Sequence, residues 1–201
     1  VLSCGAVPRS LDLTKTGLQI RRDPLRELIT PKTRAIILNS PNNPTGTVLD
    51  EESIAAVKEA VLGKEIAVIC DNVYQLLADR SCPDLSLDPQ LRDQTLVCQS
   101  FSKPWAMTGW RMGYLCAPKP LAKQIYKIHQ YGIMCAPTTA QFAAIEAMRN
   151  GDEDVAYMTA EYNRRRTLIV QGLRAIGLEC FEPEGAFYVF PSIKSTGLTS
   201  E

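Results

Sequence analysis

Three short apolar runs, each ending on a polar residue or a turn-rich loop, most constrain what this chain can fold into. Residues 34–39, Arg-Ala-Ile-Ile-Leu-Asn, lead into Ser-Pro-Asn-Asn-Pro-Thr-Gly; residues 66–70 end at Asp71; residues 95–98 end at a Ser-Phe-Ser-Lys loop. Continuous apolar runs of this length suit strands buried on both faces. Helix-forming sequence lies between them, and strands alternating with helices imply a mostly parallel sheet covered on both sides, a three-layer α/β/α arrangement. Ligands of such sheets gather beyond the carboxyl ends of the strands, which is where the polar residues of this chain sit.

The helical signals are local. Asp50 is placed to cap a helix whose first turn carries Glu51 and Glu52, with Ile54, Val57, Ala60 and Val61 on its inner face. Pro41 and Pro44 forbid helix in the preceding loop. A short helix is expected over residues 24–29, with Pro24 in its first turn. Val1 falls in a strand-like run. After a short strand at residues 113–117 come helices at 120–131 and 138–149, then a long one over 151–176. That last helix carries an apolar stripe of Val155, Met158, Tyr162, Ile169, Leu173 and Ile176, and Gly177 suits its C-terminal cap. Residues 178–181 and 186–190 read as strands. The strand-helix alternation has ended by Arg165, so a domain boundary is expected there, giving domains of residues 1–165 and 166–201. The run Arg164, Arg165 and Arg166 reads as a solvated helix face.

Composition narrows the partners. Lysine plus arginine and aspartate plus glutamate each number 22 in 201 residues, so no net field favours nucleic acid or an anionic membrane. There is no run of about 18 apolar residues, as a membrane span requires. Seven scattered cysteines with no Cys-x-x-Cys pair form neither a closed disulfide set nor a zinc ribbon, and no metal site is expected. Cys70, Cys98 and Cys116 lie in strand-like runs as small hydrophobes, which fits a reducing cytoplasmic setting. A small-molecule ligand is the expectation that remains.

The residues able to do chemistry cluster after the strands. Lys103 directly follows the third run, and Arg111 comes eight residues later beside Gly109 and Gly113. A lysine near other positive charge in a low-dielectric site gives up its proton and becomes a nucleophile, while a planar guanidinium suits an anion with paired oxygens. Asp71 abuts an apolar strand, where an unpaired carboxylate is costly; on its own it could equally cap a turn. His129, the only histidine, lies on a helix far from these motifs, and Trp105 and Trp110 read as packing residues.

Pro-Asn-Asn-Pro-Thr-Gly at 41–46, Asp-Asn-Val-Tyr at 71–74, and Ser-Phe-Ser-Lys with Gly-Trp-Arg-Met-Gly-Tyr across 100–114 resemble, in order and spacing, the class I/II aminotransferases. These are pyridoxal-phosphate enzymes of the aspartate aminotransferase fold type. The resemblance implies that Lys103 forms the Schiff base and shuttles a proton, Asp71 pairs with the ring nitrogen, and Tyr74 and Asn43 reach the ring oxygen. It implies that Arg111 and Ser100 hold the phosphate, with Ser102 contributing beside the lysine. Asn42 reads as a turn residue, and Phe187 and Tyr188 are candidates either for the pocket wall or for the core.

The resemblance further implies transfer of an amino group between an amino acid and a 2-oxo acid, and a homodimer when the protein is full length. Residues 1–165 would be the C-terminal part of the large cofactor-binding domain, and 166–201 the start of a smaller α+β domain. A glycine-rich phosphate loop and a ring-stacking aromatic are expected before Val1, and an arginine for the substrate carboxylate after Glu201. Two other readings remain open at this point. A lyase, decarboxylase or racemase would use the same cofactor residues; a non-catalytic binding module would use the fold alone, although no Gly-x-Gly-x-x-Gly follows any expected strand.

Overall fold

A computed structural model describes residues 1–199. Its centre is a four-stranded sheet in the order β1 (Ala35–Asn39), β2 (Ala67–Asp71), β3 (Thr95–Ser100) and β4 (Gly113–Cys116). The first three strands run parallel and β4 returns antiparallel to β3, so the sheet is parallel-dominated, as expected of a mixed α/β fold. Ile36 and Leu38 share one face with Val68, Cys70 and Val97. This face meets α1 (Arg22–Leu28) and α2 (Glu51–Val61) in the main core, where Val57, Val61 and Val68 are wholly buried. Each such side chain contributes about 1.5–3 kcal/mol relative to exposure.

Helix α2 begins where its sequence says it should. The Asp50 carboxylate accepts the Ser53 N–H at 2.7 Å, closing the first turn, and pairs with Arg21 at 3.0 Å. Partial burial by itself would raise the Asp50 carboxyl, but the hydrogen bonds from Arg21 and Ser53 outweigh it and hold the group at about 2, below its ordinary 3.8.

Beyond the sheet come α3 (Lys119–Gly132), α4 (Thr138–Asn150) and α5 (Asp152–Ala175). Helix α4 packs against the loop after β3 through Ala144, Phe101 and Met107. Helix α5 reaches the turn after β2, where Tyr162 joins Tyr74 and Leu77. No described helix is long and apolar enough to cross a membrane, and the described residues hold no cluster of three or more metal-ligating side chains.

Several expectations are corrected. Strand β1 is not buried on both faces: it is a sheet edge, and Ile37, pointing away from the core, is 58% exposed. Cys70 is buried, its thiol pushed up to about 12 by burial and then by Asp84, but Cys98 is half-buried and Cys116 exposed on the opposite edge. The chain opens with a single helical turn at Leu2–Cys4, not a strand. The segments 178–181 and 186–190 form no strands. A lone bridge joins Glu179 to Ser192, because Pro183 lacks a donor and Ala186 turns the chain at φ 59°. On α5, Val155 and Val170 are buried while Ile169 and Ile176 face solvent.

Arg166 departs furthest from its expected place on a solvated face. It is only 8% exposed, and its guanidinium pairs with Asp79 and donates to Asn163 at 2.8 Å. Asp79 in turn donates its N–H to the Glu184 carbonyl at 2.9 Å. Removing one member of such a pair strands the other charge. Asp79→Ala is therefore expected to cost about 2 kcal/mol or more in urea unfolding, and Arg166→Met distinctly less, since it leaves no charge buried. For Asp50, whose folded carboxyl is depressed, stabilisation is complete above about pH 4 and is lost as pH falls through about 2. Asp50→Asn, which keeps a capping side chain, should lower the unfolding midpoint at neutral pH and converge on the unmutated protein near pH 2.

Candidate active site

The site is built by strand endings. Parallel registry sets Asn39 beside Asp71 and Asp71 beside Cys98, so the chain leaves all three strands at one edge of the sheet. Asn39 then organises its own loop. Its side-chain oxygen accepts the Asn43 N–H at 2.8 Å and the Asn42 amide at 3.2 Å, while its amide donates to the Asp71 carbonyl at 3.2 Å. Sequence reasoning missed this residue, although a polar side chain closing an apolar strand is the signal that could have found it. Asn42 is a turn residue as expected, accepting from the Thr45 hydroxyl at 2.8 Å.

Asn43 and Tyr74, expected to share one target, converge on Tyr188. The Tyr188 hydroxyl lies 2.8 Å from that of Tyr74 and accepts the Asn43 amide at 3.3 Å. Burial, followed by the Tyr188 contact, pushes the Tyr74 hydroxyl well above its ordinary range, so it stays a protonated donor. Phe187 meets both tyrosine rings, at 5.5 Å from Tyr74 and 4.9 Å from Tyr188. The Lys103 amine stands over this cluster, 5.8 Å from the Tyr74 ring centre and 5.7 Å from that of Phe187. Phe187, left between pocket wall and core by the sequence, thus stands beneath the lysine amine, while Tyr188 packs against the buried cluster of Tyr74, Leu77 and Ala186.

The loop after β3 is tied internally. The Ser100 hydroxyl accepts the Ser102 N–H at 3.0 Å, the Thr108 hydroxyl donates to the Ser102 carbonyl at 2.9 Å, and Arg111 donates to the Thr108 carbonyl at 3.1 Å. Arg111 follows a single helical turn at Thr108–Trp110 in the left-handed region, φ 54°. Its guanidinium is exposed, which leaves donors available to an anion. Gly113 is required where β4 meets β3, because a Cβ there would lie 2.8 Å from the Gln99 carbonyl oxygen; one on Gly109 would meet nothing within 4 Å. Trp105 packs on Phe101 at 5.0 Å, Trp110 is half exposed, and His129 sits on the exposed side of α3, so none of the three enters the site.

Asp71 carries the sharpest sign of a ligand. Its Oδ1 is buried at the carboxyl edge of the central strand with no hydrogen-bond partner. A buried carboxylate oxygen without a donor is costly, and a ring N–H in front of the strand end is the kind of group that would satisfy it.

Residues 3–200 match the family Aminotransferase class I and II. The chain belongs to that family. It is 42% identical, over 198 residues, to a probable N-acetyl-LL-diaminopimelate aminotransferase of Bacillus subtilis, covering 98% of this chain and 50% of that protein. It is 37% identical to an aspartate aminotransferase of Musicola paradisiaca, over 96% of this chain and 50% of that one. Among solved structures, an aromatic aminotransferase from Pyrococcus horikoshii superposes with a TM-score of 0.85 at 38% identity, over 92% of this chain and 51% of its own. The chain thus spans about half the length of these aminotransferases.

The segment after α5 packs onto the loop that carries Asn43. The N–H groups of Glu184 and Gly185 both donate to the Gly46 carbonyl at 3.0 Å, and Arg80 grips the Glu184 carboxylate at 2.8 and 3.3 Å. Gly46 has φ 73°, and a Cβ there would lie 2.5 Å from the Cβ of Pro183. Gly46→Ala should therefore lose about 2 kcal/mol or more from the clash and the left-handed backbone. Chemical denaturation measures the loss; an unchanged midpoint would show that the two segments separate freely.

Proposed function

We propose that this chain is the part of a pyridoxal-phosphate-dependent aminotransferase that holds the cofactor, moving an amino group between an amino acid and a 2-oxo acid. The observation that carries the reading is the unpartnered, buried Asp71 carboxylate oxygen at the centre of a strand edge that also presents Lys103, Tyr74 and Asn43. When bound, pyridoxal phosphate supplies an aldehyde and a ring that accepts electrons.

Each residue then has a defined task. Asp71 accepts the ring N–H and keeps that proton in place, which preserves the electron-accepting form of the ring. Tyr74 and Asn43 donate toward the ring oxygen. Arg111, with Ser100 and Ser102, holds the phosphate by charge and hydroxyl donors. Lys103 would hold the aldehyde carbon through its Nζ, with water released, and once displaced by the substrate amine would carry a proton between the substrate α carbon and the cofactor carbon within each half of the reaction. The rings of Tyr74 and Phe187 lie beneath the amine and give it an apolar floor.

The relatives are named for N-acetyl-LL-diaminopimelate, aspartate and aromatic amino acids, so amino-group transfer is what they share rather than one side chain. Residues 1–165 would form the later part of a large domain and 166–201 the beginning of a small one. Apolar side chains that α3 and the following turn expose, among them Tyr126, Tyr131, Ile133 and Met134, support a homodimer. The seven described cysteines are all free, which supports a cytoplasmic setting.

The test uses the full-length protein. Added pyridoxal phosphate followed by borohydride should leave a reduced adduct on Lys103, located by mass spectrometry, and Lys103→Ala should lower turnover by about a thousandfold or more. A labelled amino acid should yield its 2-oxo acid together with an aminated acceptor. An adduct elsewhere, or loss of carbon dioxide without amination of the acceptor, would overturn the reading.

A further inference from the structure

We infer that Tyr188 is a positioning residue for the cofactor site: its hydroxyl orients the Tyr74 hydroxyl, so that the single Tyr74 proton points at the ring oxygen of the cofactor. The inference rests on the cofactor reading above and deepens it.

The hydroxyl and amide protons available here fix the direction of each bond. Tyr188 has one hydroxyl proton and two acceptor lone pairs, Tyr74 has the same, and the Asn43 amide has two N–H donors. Asn43 donates to the Tyr188 oxygen at 3.3 Å, so that contact uses an acceptor site of Tyr188 and leaves its proton free. The 2.8 Å contact between the two hydroxyls can run either way. If Tyr74 donated to Tyr188, its only proton would be used within the protein and none would reach a ligand. Once an acceptor lies in front of Tyr74, the arrangement that satisfies every group runs from Asn43 to Tyr188, from Tyr188 to Tyr74, and from Tyr74 outward, with the second Asn43 N–H also free to point outward. Chains of this kind polarise successive donors, which strengthens the last one.

Tyr188 is also well held for such a task. It packs edge-on against the Tyr74 ring at 5.7 Å and against Phe187 at 4.9 Å. Its segment is pinned by the paired Glu184 and Gly185 N–H groups on the Gly46 carbonyl, three residues beyond Asn43. The loop that carries Asn43 and the segment that carries Tyr188 therefore move as one unit.

The experiment is a double-mutant cycle in the full-length protein, reading the dissociation constant of pyridoxal phosphate and the absorbance maximum of the bound cofactor. Tyr188→Phe removes the hydroxyl and keeps the ring. It should weaken binding about fivefold, the size of one net hydrogen bond, and shift the absorbance maximum. In a Tyr74→Phe background the same change should have less than about a twofold effect, because the residue through which it acts is gone. Equal losses in both backgrounds, or no loss and no spectral shift in the first, would overturn the inference. Failure of the unmutated protein to bind the cofactor would instead overturn the reading on which it rests.

Discussion

The rest of this structure depends on the parallel registry of β1, β2 and β3. Asn39, Asp71 and Cys98 lie level with one another, so the chain departs from three adjacent strands at a single edge. Parallel strands cannot be joined by tight hairpins; the crossover through α2 returns the chain from β1 to the start of β2, and a connection with single helical turns at Gln75–Leu77 and Leu85–Leu87 returns it from β2 to the start of β3. The consequence is chemical: an amide donor, a carboxylate, a phenol and a primary amine from distant parts of the sequence share one small region. The registry is secured by the core beneath it, where Leu38, Val68 and Cys70 from adjacent strands pack with Val57 and Val61 of α2.

Behind Asp71 and Tyr74 lies a second layer of polar contacts that holds their turn. The Asn72 and Gln75 amides approach the Asp84 carboxylate at 3.4 and 3.3 Å, and Gln99 on β3 donates to the Gln75 side-chain oxygen at 3.0 Å. Asn72 also donates its N–H to the Cys98 carbonyl at 3.0 Å. The turn is thereby tied to the neighbouring strand and not only to itself. Such anchoring matters because a carboxylate and a phenol serve a ring-shaped ligand only when their relative positions are fixed to well under an ångström.

Much of this could be read from residue order, and the reasons differ by region. The strands of the sheet and helices α2 to α5 carry strong local signals: unbroken apolar runs, the Asp50 cap with its acidic first turn, and apolar residues at helical spacing. The candidate site residues could be named from sequence because Asn43, Asp71, Tyr74, Ser100, Lys103 and Arg111 fall in motifs whose order is specific in combination. What was illegible depended on partners far away in the sequence. Arg166 looks like its neighbours Arg164 and Arg165, which do face solvent and pair with Glu161 one turn back; only the approach of Asp79 turns Arg166 inward. Tyr188 sits in a stretch with strand-like alternation. Its backbone adopts no strand, since the chain turns at Ala186 with φ 59°, and just before that turn Glu184 and Gly185 are tied to Gly46 and Asp79.

Helix α5 meets the candidate site beside the turn that carries Tyr74. Asp79 is held at two points, its N–H by the Glu184 carbonyl and its carboxylate by Arg166. Five residues earlier stands Tyr74, packed with Tyr162 and Tyr188 in the same cluster. Helix α5, the segment that carries Tyr188 and the turn that carries Tyr74 therefore meet around one ion pair, whose guanidinium is buried and whose carboxylate reaches solvent. A guanidinium there is more restrictive than an apolar side chain would be. Its planar donors accept few geometries, and a misplaced partner leaves a charge unsolvated. Its contribution is thus better understood as fixing the relative position of these three segments than as adding net stability, and position is what a site assembled from three loops requires.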